Sequence, residues 1–241
     1  MPTRLTIMPV TGSNTLIYMT QDNVNKITIR LLPDGYSFLT QYHPVQRGAD
    51  FNQRLKESLL EELERNETAE TTSYVCSVEN VRFCLTPLQE VIDPEACYRF
   101  CLSETEQEET LVHLEDVAHD IRFTIGVDSE LYHFLQRNFP ELSFTHPLYE
   151  LYSLWADKEE VKQNCMVAEA DENFVNLLVF KEGKLQIANR FECTSTDDIL
   201  YHVMNCWTQC SLDVIEDKLY LDTPLPDITK NIGQFIKQCV S

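Results

Sequence analysis

The chain is poor in glycine. Its six glycines, Gly12, Gly35, Gly48, Gly126, Gly183 and Gly233, stand singly along 241 residues. Backbone amides close on a phosphate only where no side chain intervenes, so phosphate cradles are glycine-rich. The scarcity leaves no Rossmann fingerprint, no P-loop and no Gly-x-Ser-x-Gly elbow for a hydrolase nucleophile. Positive charge is also short: 19 Lys and Arg face 39 Asp and Glu, a net charge of −20. Such a surface repels phosphate backbones and anionic bilayers, so neither nucleic acid nor membrane is an expected partner. It suits solubility, or docking of a basic protein partner. No run nears the roughly 18 apolar residues that span a bilayer. Met1 to Tyr18 holds one cation, Arg4, and no apolar core, so no secretory signal is read there and the expected location is cytoplasmic. The nine cysteines form no Cys-x-x-Cys pair, and in a reducing compartment they are expected to be small buried thiols.

What is present is an ordinary globular composition, 43% hydrophobic and 24% charged, which argues against disorder. The length suffices for one large domain or two lobes with real cores. Residues 1–25 read as an irregular arm. Lys26 to Leu31 alternates, Pro33-Asp34-Gly35 turns, and Tyr36 to Leu39 resumes, a hairpin signal. Phe51, Leu55, Leu59, Leu60 and Leu63 recur at helical spacing from Ala49 to Arg65, closed by polar residues 66–72. Tyr74 to Leu85 reads as one or two strands. Asp93-Pro94-Glu95 opens a helix with Asp93 as cap, followed by an acidic loop over 103–110. Leu111 to Leu114 and Ile121 to Val127 read as paired strands. A helix capped at Asp128 or Ser129 runs to Asn138 and stops at Pro140. Ser143 to Thr145 is a short strand, and Pro147 to Trp155 a helix.

The second half restarts in the same way. Cys165 to Ala168 and Asn176 to Phe180 read as strands, and a Gly183 turn leads into Lys184 to Ala188, extended by Arg190 to Cys193. Ser195 and Asp198 form a capping box for a helix reaching Cys210. Lys218 to Leu221 reads as a strand and Ile228 to Val240 as a final helix. Each half thus opens with a hairpin on a glycine turn and continues into an amphipathic helix, an α/β layering. The expected lobes are residues 1–145 and 146–241.

The stretch from Ile29 to Phe38, and the run through Gly183, Asn189, Phe191, Asp198 and Tyr201, resemble an uncharacterised family found chiefly in Bacteroidetes, domain of unknown function 3822. The resemblance covers roughly residues 26 to 225. It carries no assigned activity or catalytic residues. The family is similar in turn to the actin-like ATPase group, which includes the Hsp70 ATPase domain, sugar kinases and the pilus-assembly actin-like proteins. The resemblance implies two ribonuclease-H-like lobes, each opening with antiparallel strands followed by a helix.

The same resemblance implies where nucleotide phosphates would sit: on Asp-x-Gly hairpin turns in each lobe, and on a Gly-Gly pair beside the adenosine. At the first turn Asp34 adjoins Gly35 directly, and Pro33 removes an amide donor. At the second, Glu169-Ala170-Asp171-Glu172-Asn173 has no glycine and carries three carboxylates, which repel phosphate. At the third, Cys193-Thr194 replaces the glycine pair. The expected fold is therefore a degenerate actin-like form without ATP hydrolysis, no cofactor, metal or catalytic residue, and a role in protein interaction or scaffolding. Two alternatives remain: a divergent nucleotide-binding protein or ATPase using Asp34, Asp171 and Lys181, and a small-ligand regulator using the cleft between lobes.

Other chemistry reads as structural. His202, Cys206 and Cys210 share a helical face, but i to i+8 spans about 12 Å, too far for one ion; a seam of small buried residues is expected. Cys97 and Cys101 repeat that spacing and expectation. Asp197 and Asp198 suit a helix N-terminus. His146 before Pro147 is expected to be a hydrogen-bonded structural residue. Asn66-Glu67-Thr68 matches the glycosylation triplet, without meaning in the cytoplasm.

Overall fold

A computed structural model describes residues 26–65, 73–89, 93–102, 108–139 and 141–240. The arm 1–25 with Gly12, the stretch 66–72 with its triplet, residues 103–107 of the acidic loop and the stop at Pro140 lie outside the described residues.

The chain opens on β1 (Lys26–Leu32), whose alternation buries Ile27, Ile29 and Leu31 on one face. It pairs antiparallel with β2 (Gly35–Phe38), Leu32 opposite Gly35. A third strand, β3 (Gln41–Pro44), extends the meander. No strand was expected there: it is polar, largely exposed and ends in proline, as an edge strand tolerates. The helix α1 (Phe51–Arg65) buries Leu55 and Leu59, and Tyr36 on β2 hydrogen-bonds Ser58 on it at 2.7 Å. The strand β4 (Ser73–Val78) follows.

Next come β5 (Phe83–Thr86), α2 (Pro94–Cys101), β6 (Glu109–Asp116) and β7 (Ile121–Asp128). The three strands form their own antiparallel sheet in the order β5-β7-β6. Asp93 caps α2 as expected, accepting from Glu95 N at 3.0 Å. The chain then returns through α3 (Ser129–Asn138) to β8 (Ser143–Thr145), and α4 (Pro147–Trp155) follows.

The remaining strands are β9 (Cys165–Ala170), β10 (Phe174–Lys181), β11 (Lys184–Glu192), β12 (Lys218–Asp222) and β13 (Gln238–Val240). Between them run α5 (Thr196–Gln209) and α6 (Pro226–Ile232). The β10–β11 turn uses Glu182 and Gly183, both at positive φ, 52° and 79°, the backbone that suits a two-residue hairpin. The final helix differs from expectation. Ile228, Ile232 and Ile236 have helical spacing and are all buried, yet the helix stops at Ile232. Gly233 is a poor helix former, and Gln238 to Val240 gain a parallel ladder on Lys218 to Tyr220 instead.

The two five-stranded sheets share one plan. The first runs β3-β2-β1-β4-β8 and the second β11-β10-β9-β12-β13. Numbered within each sheet, both read 3-2-1-4-5, the ribonuclease-H-like order. By contact density the described chain forms two compact units: one up to Ser77 with Glu130–Phe144, the other Val78–Ser129 with Thr145 onward.

Candidate functional site

The turns that would meet a phosphate in this fold can be taken one at a time. At the β1–β2 turn the Asp34 carbonyl accepts from Val45 N at 2.9 Å and from the Tyr42 hydroxyl at 3.3 Å. A Cβ on Gly35 would stand 2.3 Å from the His43 carbonyl oxygen and 3.0 Å from Pro44 Cα. The close approach of β3 therefore demands this glycine, whatever binds the protein.

The β9–β10 turn closes on itself. Asp171 Oδ1 accepts from Asn173 N at 2.7 Å and Phe174 N at 2.9 Å. The carboxylate of the turn thus occupies the amides that an anion would need, an Asx arrangement.

The N-terminus of α5 is closed in the same manner. Ser195 Oγ accepts from Asp198 N at 3.2 Å, and Asp198 Oδ2 accepts from Thr194 N at 2.9 Å and Thr194 Oγ1 at 2.8 Å. The return bond lands on Thr194, one residue before the cap, so the capping box is displaced by one position. The Thr194 backbone amide, its hydroxyl and Ser195 hold the Asp198 carboxyl below the usual carboxylate range.

Two of the sequence-predicted candidates, Asp171 and Lys181, are held apart within the second unit. Asp171 and Lys181 lie at opposite ends of β10, whose eight residues span about 24 Å at a strand's rise. Lys181 Nζ donates to the Cys210 carbonyl at 2.9 Å, at the C-terminus of α5, where a cation complements the helix dipole. Asp34 belongs to the other compact unit.

A polar network that sequence reasoning missed lies inside the second unit. Arg190 on β11 and Glu79, just past β4, are both buried and pair at 3.1 Å. Arg190 also donates to Asn176 Oδ1 at 2.8 Å and sits 3.9 Å from the Phe174 ring centroid. Asn176 in turn donates to Glu169 at 2.9 Å. The pair joins positions 111 residues apart, and no local pattern announces it. The two opposite charges face each other in the interior, so the network works as an internal clasp rather than an open acid–base centre.

His146 is fully buried beside this network. It caps α4, its Nδ1 accepting from Leu148 N at 3.2 Å and its Nε2 donating to the Asn80 carbonyl at 2.9 Å. Burial, with the Arg190 charge, pushes its pKa down to about 3, so the ring stays neutral. His202 stacks on Phe191 at 4.0 Å, and burial lowers its pKa. Cys206 is buried and Cys210 half-buried. Among the described residues, no group of three His, Cys, Asp or Glu is arranged to hold a metal ion, and no helix is long and apolar enough to cross a membrane.

The chain matches no curated protein. Among solved structures it is similar to a Bacteroides thetaiotaomicron VPI-5482 protein with an actin-like ATPase fold and unknown function. Their identity is 22%, over 89% of each chain, with a TM-score of 0.72. It is also similar to a PilM–PilN type IV pilus biogenesis complex, at 12% identity, 92% and 89% coverage and a TM-score of 0.51. At these identities the likeness shows the fold, and the fold is actin-like. The model of one family matches residues 14–238, and the chain belongs to that family, described as proteins of unknown function, DUF3822.

Proposed function

We propose that this chain is a non-catalytic, cytoplasmic interaction or scaffold protein on a degenerate actin-like ATPase fold, with residues 1–145 and 146–241 as its lobes. One observation carries the reading. The amides of the β9–β10 turn and of the α5 N-terminus are taken by the chain's own Asp171, Asp198 and Ser195, so a phosphate would have to displace a carboxylate to reach them. The acid-rich surface repels nucleotides further.

Two features support protein partners. One of the structures similar to this chain is a PilM–PilN type IV pilus biogenesis complex. On α5, Leu200, Tyr201 and Met204 form with Phe235 an open apolar groove of about 480 Å³, in which Tyr201 and Phe235 are exposed.

Titration calorimetry with ATP and Mg²⁺ tests the reading, and no heat of binding is expected. Micromolar affinity that is lost in Asp34→Asn, Asp171→Asn or Lys181→Ala would replace it with the nucleotide-binding alternative.

A further inference from the structure

The three-stranded sheet carries a thiol arrangement that neither the fold nor the proposed role uses. Cys84 is the second residue of β5, and α2 packs on β5. On α2, Cys97 and Cys101 lie four residues apart and so on one face. The expected buried seam is absent: Cys101 is exposed, Cys97 half-buried and Cys84 buried. The Cys84 thiol interacts with that of Cys101, with Cys97 close by, and the Cys84 sulfur itself donates to the Leu85 carbonyl at 3.7 Å. Cys84 and Cys101 come from different elements that pack on one another, and Arg82, two residues before Cys84, lies over the ring of Tyr98 on α2, so the Cys84 side of β5 faces that helix. Cys206 and Cys210, by contrast, share a single helix.

We propose that Cys84 and Cys101 form a peroxide-reactive dithiol, with Cys101 as the attacking sulfur and Cys84 as the resolving one. Their oxidation staples the last turn of α2 to β5. The chemistry closes without another reactant. The Cys101 sulfur attacks one peroxide oxygen, the O–O bond breaks, and the thiol's proton leaves with the other oxygen as water. Cys101 is then a sulfenic acid, oxidised by two electrons. The Cys84 sulfur attacks that sulfur, the S–O bond breaks, and the departing hydroxide takes the Cys84 proton as a second water.

Geometry assigns the two roles. Cys101 is the most exposed of the three to a solvent oxidant, whereas burial keeps the proton on Cys84, whose pKa is pushed up to about 12. Such a thiol is ionised at about one part in 10⁵ near neutral pH, a deficit that contact, worth an effective molarity of about 10⁵ M or more, offsets. The inference does not depend on the scaffold reading.

The test uses the full chain, reduced, treated with hydrogen peroxide, alkylated and mapped by mass spectrometry without reductant. A linked Cys84–Cys101 peptide pair, two hydrogens lighter and released by dithiothreitol, is expected. It should persist in Cys97→Ser and vanish in Cys101→Ser. In Cys84→Ser, dimedone should trap a sulfenic acid at Cys101. Should Cys84→Ser fail to fold, Cys101→Ser at its exposed position decides alone. Accumulation of sulfinic or sulfonic acid at Cys101 without a link to Cys84, or a link through Cys97, overturns the proposal.

Discussion

The two five-stranded sheets repeat one strand order and meet solvent differently. In the first, β1 buries alternate residues, Ile27, Ile29 and Leu31, and leaves the intervening ones partly open. In the second, β9 and β10 are buried along nearly their whole length; Leu177, Leu178 and Val179 are each fully buried in succession. Helices α4 and α5 both touch β10, so both faces are covered. A covered strand reads as a continuous apolar run and a half-covered one as an alternation. One topology thus tolerates two packing regimes. Topology alone therefore does not say where stability resides, which substitution can measure.

The largest expected effect is in the second unit. Arg190→Ala leaves Glu79 buried beside an emptied site and should cost about 3–5 kcal/mol in urea denaturation. Replacing both partners, Arg190→Met with Glu79→Leu, should restore most of that loss. If the single and double variants are equally unstable, the clasp is not what is lost. Next is the direct comparison: Leu178→Ala should cost about 3–5 kcal/mol and Leu31→Ala about 2–3 kcal/mol, because Leu31 keeps a little exposure and lies on a strand buried on alternate residues only, whereas Leu178 keeps none. Equal losses would remove the distinction between the two regimes.

A pH dependence comes third. His146 is held neutral by burial, its pKa lowered to about 3 from an unfolded value of about 6.5. With a depressed folded pKa, the unfolded chain takes up the proton first. Its contribution to stability is therefore complete above pH of about 6.5 and is lost as pH falls toward about 3, at up to about 1.4 kcal/mol per pH unit. His146→Gln should flatten that slope in denaturation series; an unchanged slope would place the titration elsewhere. The smallest effect belongs to the turn. Asp171→Ala should cost about 1 kcal/mol by freeing two amides, while Asp171→Asn, which keeps an acceptor oxygen, should cost less.

Much of this was legible because local chemistry decided it. Alternation announced β1, Pro33-Asp34-Gly35 and Gly183 announced hairpin turns, and Asp93 and Ser195 announced helix starts. The edge strands were not legible. Gln41 to Pro44 and Gln238 to Val240 gain their structure from neighbours, β2 and β12, and little from their own side chains. The closed turns were half legible: missing glycines and crowded carboxylates are visible in the residues, but the folding of Asp171 onto its own amides is a matter of backbone geometry. Arg190 and Glu79 were invisible, since their pairing depends on a meeting of distant segments.

The inward-facing aspartate of the β9–β10 turn has one more consequence. A bend that supplies its own anion is content without a guest. Exchanging Asp171 for a smaller residue strands two donors before any phosphate has reason to arrive, and the α5 entrance would still be shut by Asp198. Each single step towards a nucleotide grip is thus a loss, and only several changes together would build one.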